Sequence, residues 1–105
     1  MTKINIKGQE YLVVYVDRVD SDDNDGECDR VKKKIKIKKS LGEAERQATL
    51  IHELFHAVLA EVCVSELISV DLEEIIVENL STYIIRFLKE LCEKEKQANK
   101  KKRSK

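Results

Sequence analysis

Apolar and polar residues alternate with a period of two in the first part of the chain and recur every three to four residues in the second. Residues 2 to 6 and 10 to 16 read as strands joined by a turn at Gly8-Gln9, and Tyr11-Leu12-Val13-Val14-Tyr15-Val16 is rich in β-formers. Residues 31 to 39 read as a third strand, with Ile35 and Ile37 pointing one way and Lys34, Lys36 and Lys38 the other. Lysines on one face protect an edge strand from aggregation, and an edge strand can also pair with an extended peptide. Ser40-Leu41-Gly42-Glu43 matches a capping box and predicts a helix to about Val62, with an apolar stripe of Ala44, Ala48, Ile51, Phe55, Val58 and Val62. Asp71-Leu72-Glu73-Glu74 matches a second capping box. It opens a helix to about Cys92 that carries Ile76, Leu80, Ile84, Phe87 and Leu91. Strands followed by helices predict an α+β fold, a small antiparallel sheet of about three strands packed with two helices.

The acidic run from Asp20 to Glu27 resembles a calcium loop. With Gly26 as the sixth loop residue the twelfth would be Lys32, where an EF-hand needs a bidentate Glu. The run therefore reads as a solvated turn built on Asp25-Gly26.

Composition narrows the class. A chain of 105 residues makes one domain, and with 5% aromatic residues its core falls to Leu, Ile and Val. No apolar run approaches the roughly 20 residues that span a bilayer, and the first residues lack the apolar stretch of a signal peptide. The expectation is a cytoplasmic protein without a membrane partner. Cys28, Cys63 and Cys92 are odd in number and contain no C-x-x-C pair, so they are expected to be free buried thiols rather than a disulfide framework or a zinc ribbon. The formal net charge of zero conceals a segregation: residues 94–105 hold seven Lys/Arg and one Glu, a net of +6, which leaves −6 on residues 1–93. The expected organisation is a single domain over 1–93 and a basic, disordered tail over 94–105. Such a tail could make weak contacts with nucleic acid or an acidic partner, but no nucleic-acid recognition motif accompanies it.

The chemistry concentrates in His52-Glu53-Leu54-Phe55-His56, an H-E-x-x-H motif inside the first predicted helix. Residues four apart stack on one helix face, so both imidazoles can reach one metal ion. Glu53 is rotated about 100° from His52, where it can reach a metal-bound water as general base. These two histidines are the only ones in the chain. A catalytic zinc usually takes three protein ligands and keeps one position open, so the third ligand here falls to a carboxylate. The longer H-E-x-x-H-x-x-G-x-x-H pattern is absent, with Leu59 and Val62 at the Gly and His positions. Glu73, Glu74 and Glu78 remain on the second helix. Glu74 is assigned to the capping box. Glu78 falls on a polar arc where a solvated carboxylate is ordinary, and spacing alone leaves its role open. No oxyanion donor stands out; Tyr83 has a poor helical phase.

The segment from Thr49 to Ala57 and the segment Val77-Glu78-Asn79-Leu80 resemble the active-site helix and the third-ligand segment of small zincins of phages and mobile elements, related to the ImmA/IrrE metallopeptidases. The resemblance implies one zinc ion held by His52, His56 and Glu78, with Glu53 as the catalytic base of a metallo-endopeptidase. It also implies a protein or peptide substrate such as a transcriptional regulator, since longer relatives cleave repressors. An E-A-N-x-F-A stretch is missing, and Ser81-Thr82-Tyr83 follow the glutamate segment instead. The alternative is a non-catalytic zinc-binding protein that acts by contact on a regulatory or host protein. The intact Glu53 argues against it, and the small size, leaving little room for a cleft, argues for it.

Overall fold

The computed structural model describes residues 2–19 and 24–103, with side chains through residue 99. Asp20 to Asp23, the middle of the acidic run, lie outside the described residues. The elements in chain order are β1 (Thr2–Ile6), β2 (Gln9–Val16), β3 (Gly26–Asp29), β4 (Lys34–Lys38), α1 (Glu43–Glu61) and α2 (Val70–Arg103).

The fold is α+β, but the sheet has four strands and is mixed. Its order is β1-β2-β4-β3, with β2 and β4 parallel and the other pairs antiparallel. β1 and β2 form a hairpin through Lys7 and Gly8, one residue earlier than expected. Both have positive φ, as the two central residues of a type I′ turn require, and the Asn5 side chain accepts from the Gly8 N–H at 2.9 Å. After β2 the chain crosses to the far edge, forms β3, and returns as β4 in the slot beside β2. The lysine-faced strand is therefore central, and β1 and β3 are the edges. Lys34 and Lys36 stand opposite Asp29 and Glu27 in the β3–β4 register, a cross-strand charge match rather than protection of an edge.

One face of the sheet is the core. Ile6, Tyr11, Val13, Ile35 and Ile37 are buried against Ala57 of α1, with Leu50 and Leu54 beside them. The period-two alternation of Ile35 and Ile37 against the lysines holds. Half of the predicted stripe of α1 stays out of the core: Ala44, Val58 and Val62 are exposed, and the Leu50, Leu54 and Ala57 side, some 110° round the helix, packs on the sheet. α1 is apolar over a wide arc, and the sheet selects one margin of it. The α1 carboxylate Glu61 accepts from the Tyr11 hydroxyl at 2.8 Å and pairs with Lys33, which fixes the helix end over the sheet.

Neither expected capping box forms. The N-cap of α1 is Gly42, without a side-chain cap, because Ser40 is used in the turn that leaves β4. α2 starts earlier than Asp71 suggests, with the Ser69 hydroxyl accepting from the Leu72 N–H at 3.1 Å. Glu74 is thereby released from any capping duty. α2 also runs past the end expected at Cys92 to Arg103, and its residues 94–99 are all exposed. The described part of the basic segment is a solvated helix. Cys28 is half-buried, but Cys63 and Cys92 are exposed; all three are free, so burial was expected wrongly for two of them. Among the described residues no helix is long and apolar enough to cross a membrane.

Candidate metal centre

α1 and α2 lie side by side with the C-terminal part of α1 against the start of α2, so the histidines face the first two turns of α2. His52 Nε2 lies 2.9 Å from one oxygen of Glu74, and His56 Nε2 lies 3.1 Å from the other. His52, His56 and Glu74 each offer one ligand atom, and these atoms lie within 4.8 Å of one another, a group that could hold a metal ion. Two imidazole nitrogens and a carboxylate oxygen are a donor set that suits zinc.

Glu78, the expected third ligand, stands outside that group. Its carboxylate is 3.5 Å from His52 Nδ1, on the far side of the ring. The carboxylate that joins the two Nε2 atoms is Glu74, one turn earlier. With helix α2 capped by Ser69 rather than by Asp71, Glu74 is free to turn toward α1.

Glu73, named among the carboxylates of the second helix, was given no role there. It is buried, and its carboxylate lies 2.6 Å from His56 Nδ1 and pairs with Arg30. Burial works against its charge, yet its polar partners, His56 and Arg30 among them, hold its carboxyl below the ordinary range. A carboxylate can only accept, so an Nδ1–H of His56 would donate to Glu73, which leaves Nε2 as the nitrogen that a metal ion would take. Each histidine thus has Glu74 at Nε2 and an outer carboxylate at Nδ1. The sequence signal was present in the phase of α2: Glu73, Val77 and Ser81 are spaced four apart and all are buried.

Glu53 is buried at the inner wall of the same cleft. Desolvation pushes its carboxyl up to about 7, with His52 opposing and Glu74 and Glu27 pushing the same way. The cleft has a volume of about 590 Å³ and runs between β3, with Arg30 behind it, and the two helices. Gly26 lets β3 come this close. A Cβ there would sit 2.6 Å from Thr49 Cγ2 and 3.2 Å from Glu53 Cγ. The glycine expected in a solvated turn is instead a packing position at the floor of the site.

Comparison with known protein families, with curated proteins and with solved structures finds no match to this chain.

Proposed function

We propose that the chain is a zinc-dependent peptidase in which His52, His56 and Glu74 hold the metal and Glu53 is the general base. The observation that carries this reading is the placement of a buried carboxylate, Glu53, beside a His-His-Glu cluster inside one open cleft. A zinc ion held there supplies Lewis-acid polarisation of a carbonyl and lowers the pKa of a water to around 7.

The protein's own residues do the rest. Glu53 takes the proton of the attacking water and passes it to the leaving amine. A carboxyl that burial brings to about 7 is suited to both halves of that transfer near neutral pH. Glu73 and Glu78 stand behind His56 and His52, where they orient the rings. The edge strand β3 forms one wall of the cleft and provides a backbone against which an extended peptide can lie. The cleft removes the objection that so small a chain has no room for a substrate.

The test is proteolysis followed by mass spectrometry. The zinc-loaded protein is incubated with a complex peptide library and new termini are counted. Wild type should generate cuts, and Glu53→Gln should reduce their rate by about 10²- to 10⁴-fold while keeping zinc. Equal cleavage by both proteins, or none by either in the presence of the native target, would leave the zinc-binding interaction protein as the better reading.

A further inference from the structure

α2 is too long for the body that it packs on. Its 34 residues span about 51 Å, against about 28 Å for the 19 residues of α1. The molecule's longest extent is 54 Å, so α2 sets its length and its C-terminal half projects. That half is not uniformly polar. Leu80, Ile84, Phe87, Leu88 and Leu91 fall within an arc of about 100°, continuing the face on which Glu73 and Val77 meet α1. Their exposures are 45%, 37%, 53%, 51% and 56%. Together with the half-exposed Tyr83 they leave roughly 600 Å² uncovered, at the top of what a monomer ordinarily shows.

We propose that this stripe pairs, antiparallel, with the same stripe of a second copy of the chain. The occupant is identified by charge. From Val70 to Ile85, α2 carries Asp71, Glu73, Glu74 and Glu78 and no Lys or Arg. From Lys94 to Arg103 it carries six Lys/Arg and one Glu. A parallel pair would set basic end against basic end. An antiparallel pair brings the basic end of each helix to the acidic body of the other, where residues 1–93 carry −6. A chain of zero net charge with its charges segregated end from end is complementary to itself, and a two-fold axis satisfies both ends at once. With Phe87 and Leu88 at the crossing, Ile84 of one copy meets Leu91 of the other. Two such faces bury about 1,200 Å², the lower bound of a stable specific interface.

The test is sedimentation equilibrium of the full chain from micromolar to sub-millimolar concentration, at about 50 mM and about 500 mM salt. The expected result is a monomer–dimer equilibrium whose Kd rises several-fold at the higher salt. Phe87→Glu with Leu91→Glu should leave only monomer, with helical circular dichroism and zinc uptake unchanged, since both side chains are exposed and remote from the histidines. Lys94→Glu with Lys96→Glu separates the two orientations by sign: it weakens an antiparallel dimer by several-fold, whereas it relieves repulsion in a parallel one and tightens it. The proposal is overturned by a wild type that stays monomeric at every concentration, including one that binds vesicles of anionic phospholipid instead. It is equally overturned by a dimer that survives the Phe87/Leu91 change or tightens on the Lys94/Lys96 change.

Discussion

Glu73 shows how much a single side chain can decide at this site. Its carboxylate lies 2.6 Å from His56 Nδ1 and pairs with Arg30, so it favours the tautomer that offers Nε2 to a metal. Glu73→Ala should lower zinc affinity by about 10- to 100-fold, measured by competition with a chromophoric chelator. Glu73→Gln, whose amide oxygen still accepts from Nδ1, should recover part of that loss; an affinity unchanged in both variants would remove Glu73 from the site. Glu53 carries a different signature, in stability. Its folded value of about 7 lies above the ordinary 4.5, so the folded chain holds a proton that the unfolded chain has released. In the metal-free protein this contribution is fully present below pH 4.5 and is lost as pH rises through about 7. Metal-free Glu53→Gln should therefore match wild type near pH 4.5 and exceed it at pH 8, by on the order of 3 kcal/mol. Urea unfolding at the two pH values checks this, and a gap that does not widen with pH would contradict the burial argument.

At the scale of elements, α1 ends by a device that its sequence hides. Val64 N–H bonds Leu59 C=O at 2.9 Å and Cys63 N–H bonds Ala60 C=O at 3.1 Å, a Schellman motif with Cys63 at φ 65°. Glycine normally occupies that left-handed position. Cys63→Gly should stabilise the protein by about 1 kcal/mol, read as a higher melting temperature, and no gain would mean that the exposed thiol makes compensating contacts. The same contrast between local signal and tertiary demand explains what the sequence reading reached. β1, β2, β4 and the H-E-x-x-H helix were legible because their periodicity is local. β3 was not, because four residues that start at Gly26 look like the end of a turn until Thr49 and Glu53 are packed on that glycine. The parallel pairing of β2 with β4 depends on where the chain inserts, which no local pattern records. Glu74 was missed through one wrong cap: once Asp71 is taken to start the helix, Glu74 becomes a capping residue, and Glu78 is left as the remaining candidate.

At the scale of the whole molecule, the cluster ties the start of α2 to α1, while the core of Val13, Ile35 and Ile37 lies on the other side of α1. Metal removal should consequently loosen α2 without unfolding the sheet. Binding at a hundredfold excess over Kd is worth about 2.7 kcal/mol, so a strong chelator should lower Tm by on the order of 10 °C and leave a cooperative transition. A melting curve that does not move after verified metal loss would contradict this. The central claim is the assignment of the site to His52, His56 and Glu74 with Glu53 beside it, and zinc affinity across a panel of variants tests it most directly. Wild type should bind one zinc per chain. Glu53→Gln should bind it as tightly, and Glu78→Ala should weaken it by no more than about tenfold, as befits an outer partner of His52. His52→Ala and Glu74→Ala should each lose more than the roughly 10- to 100-fold of an outer-sphere change. A Glu74→Ala protein that keeps its zinc while Glu78→Ala loses it would contradict the account.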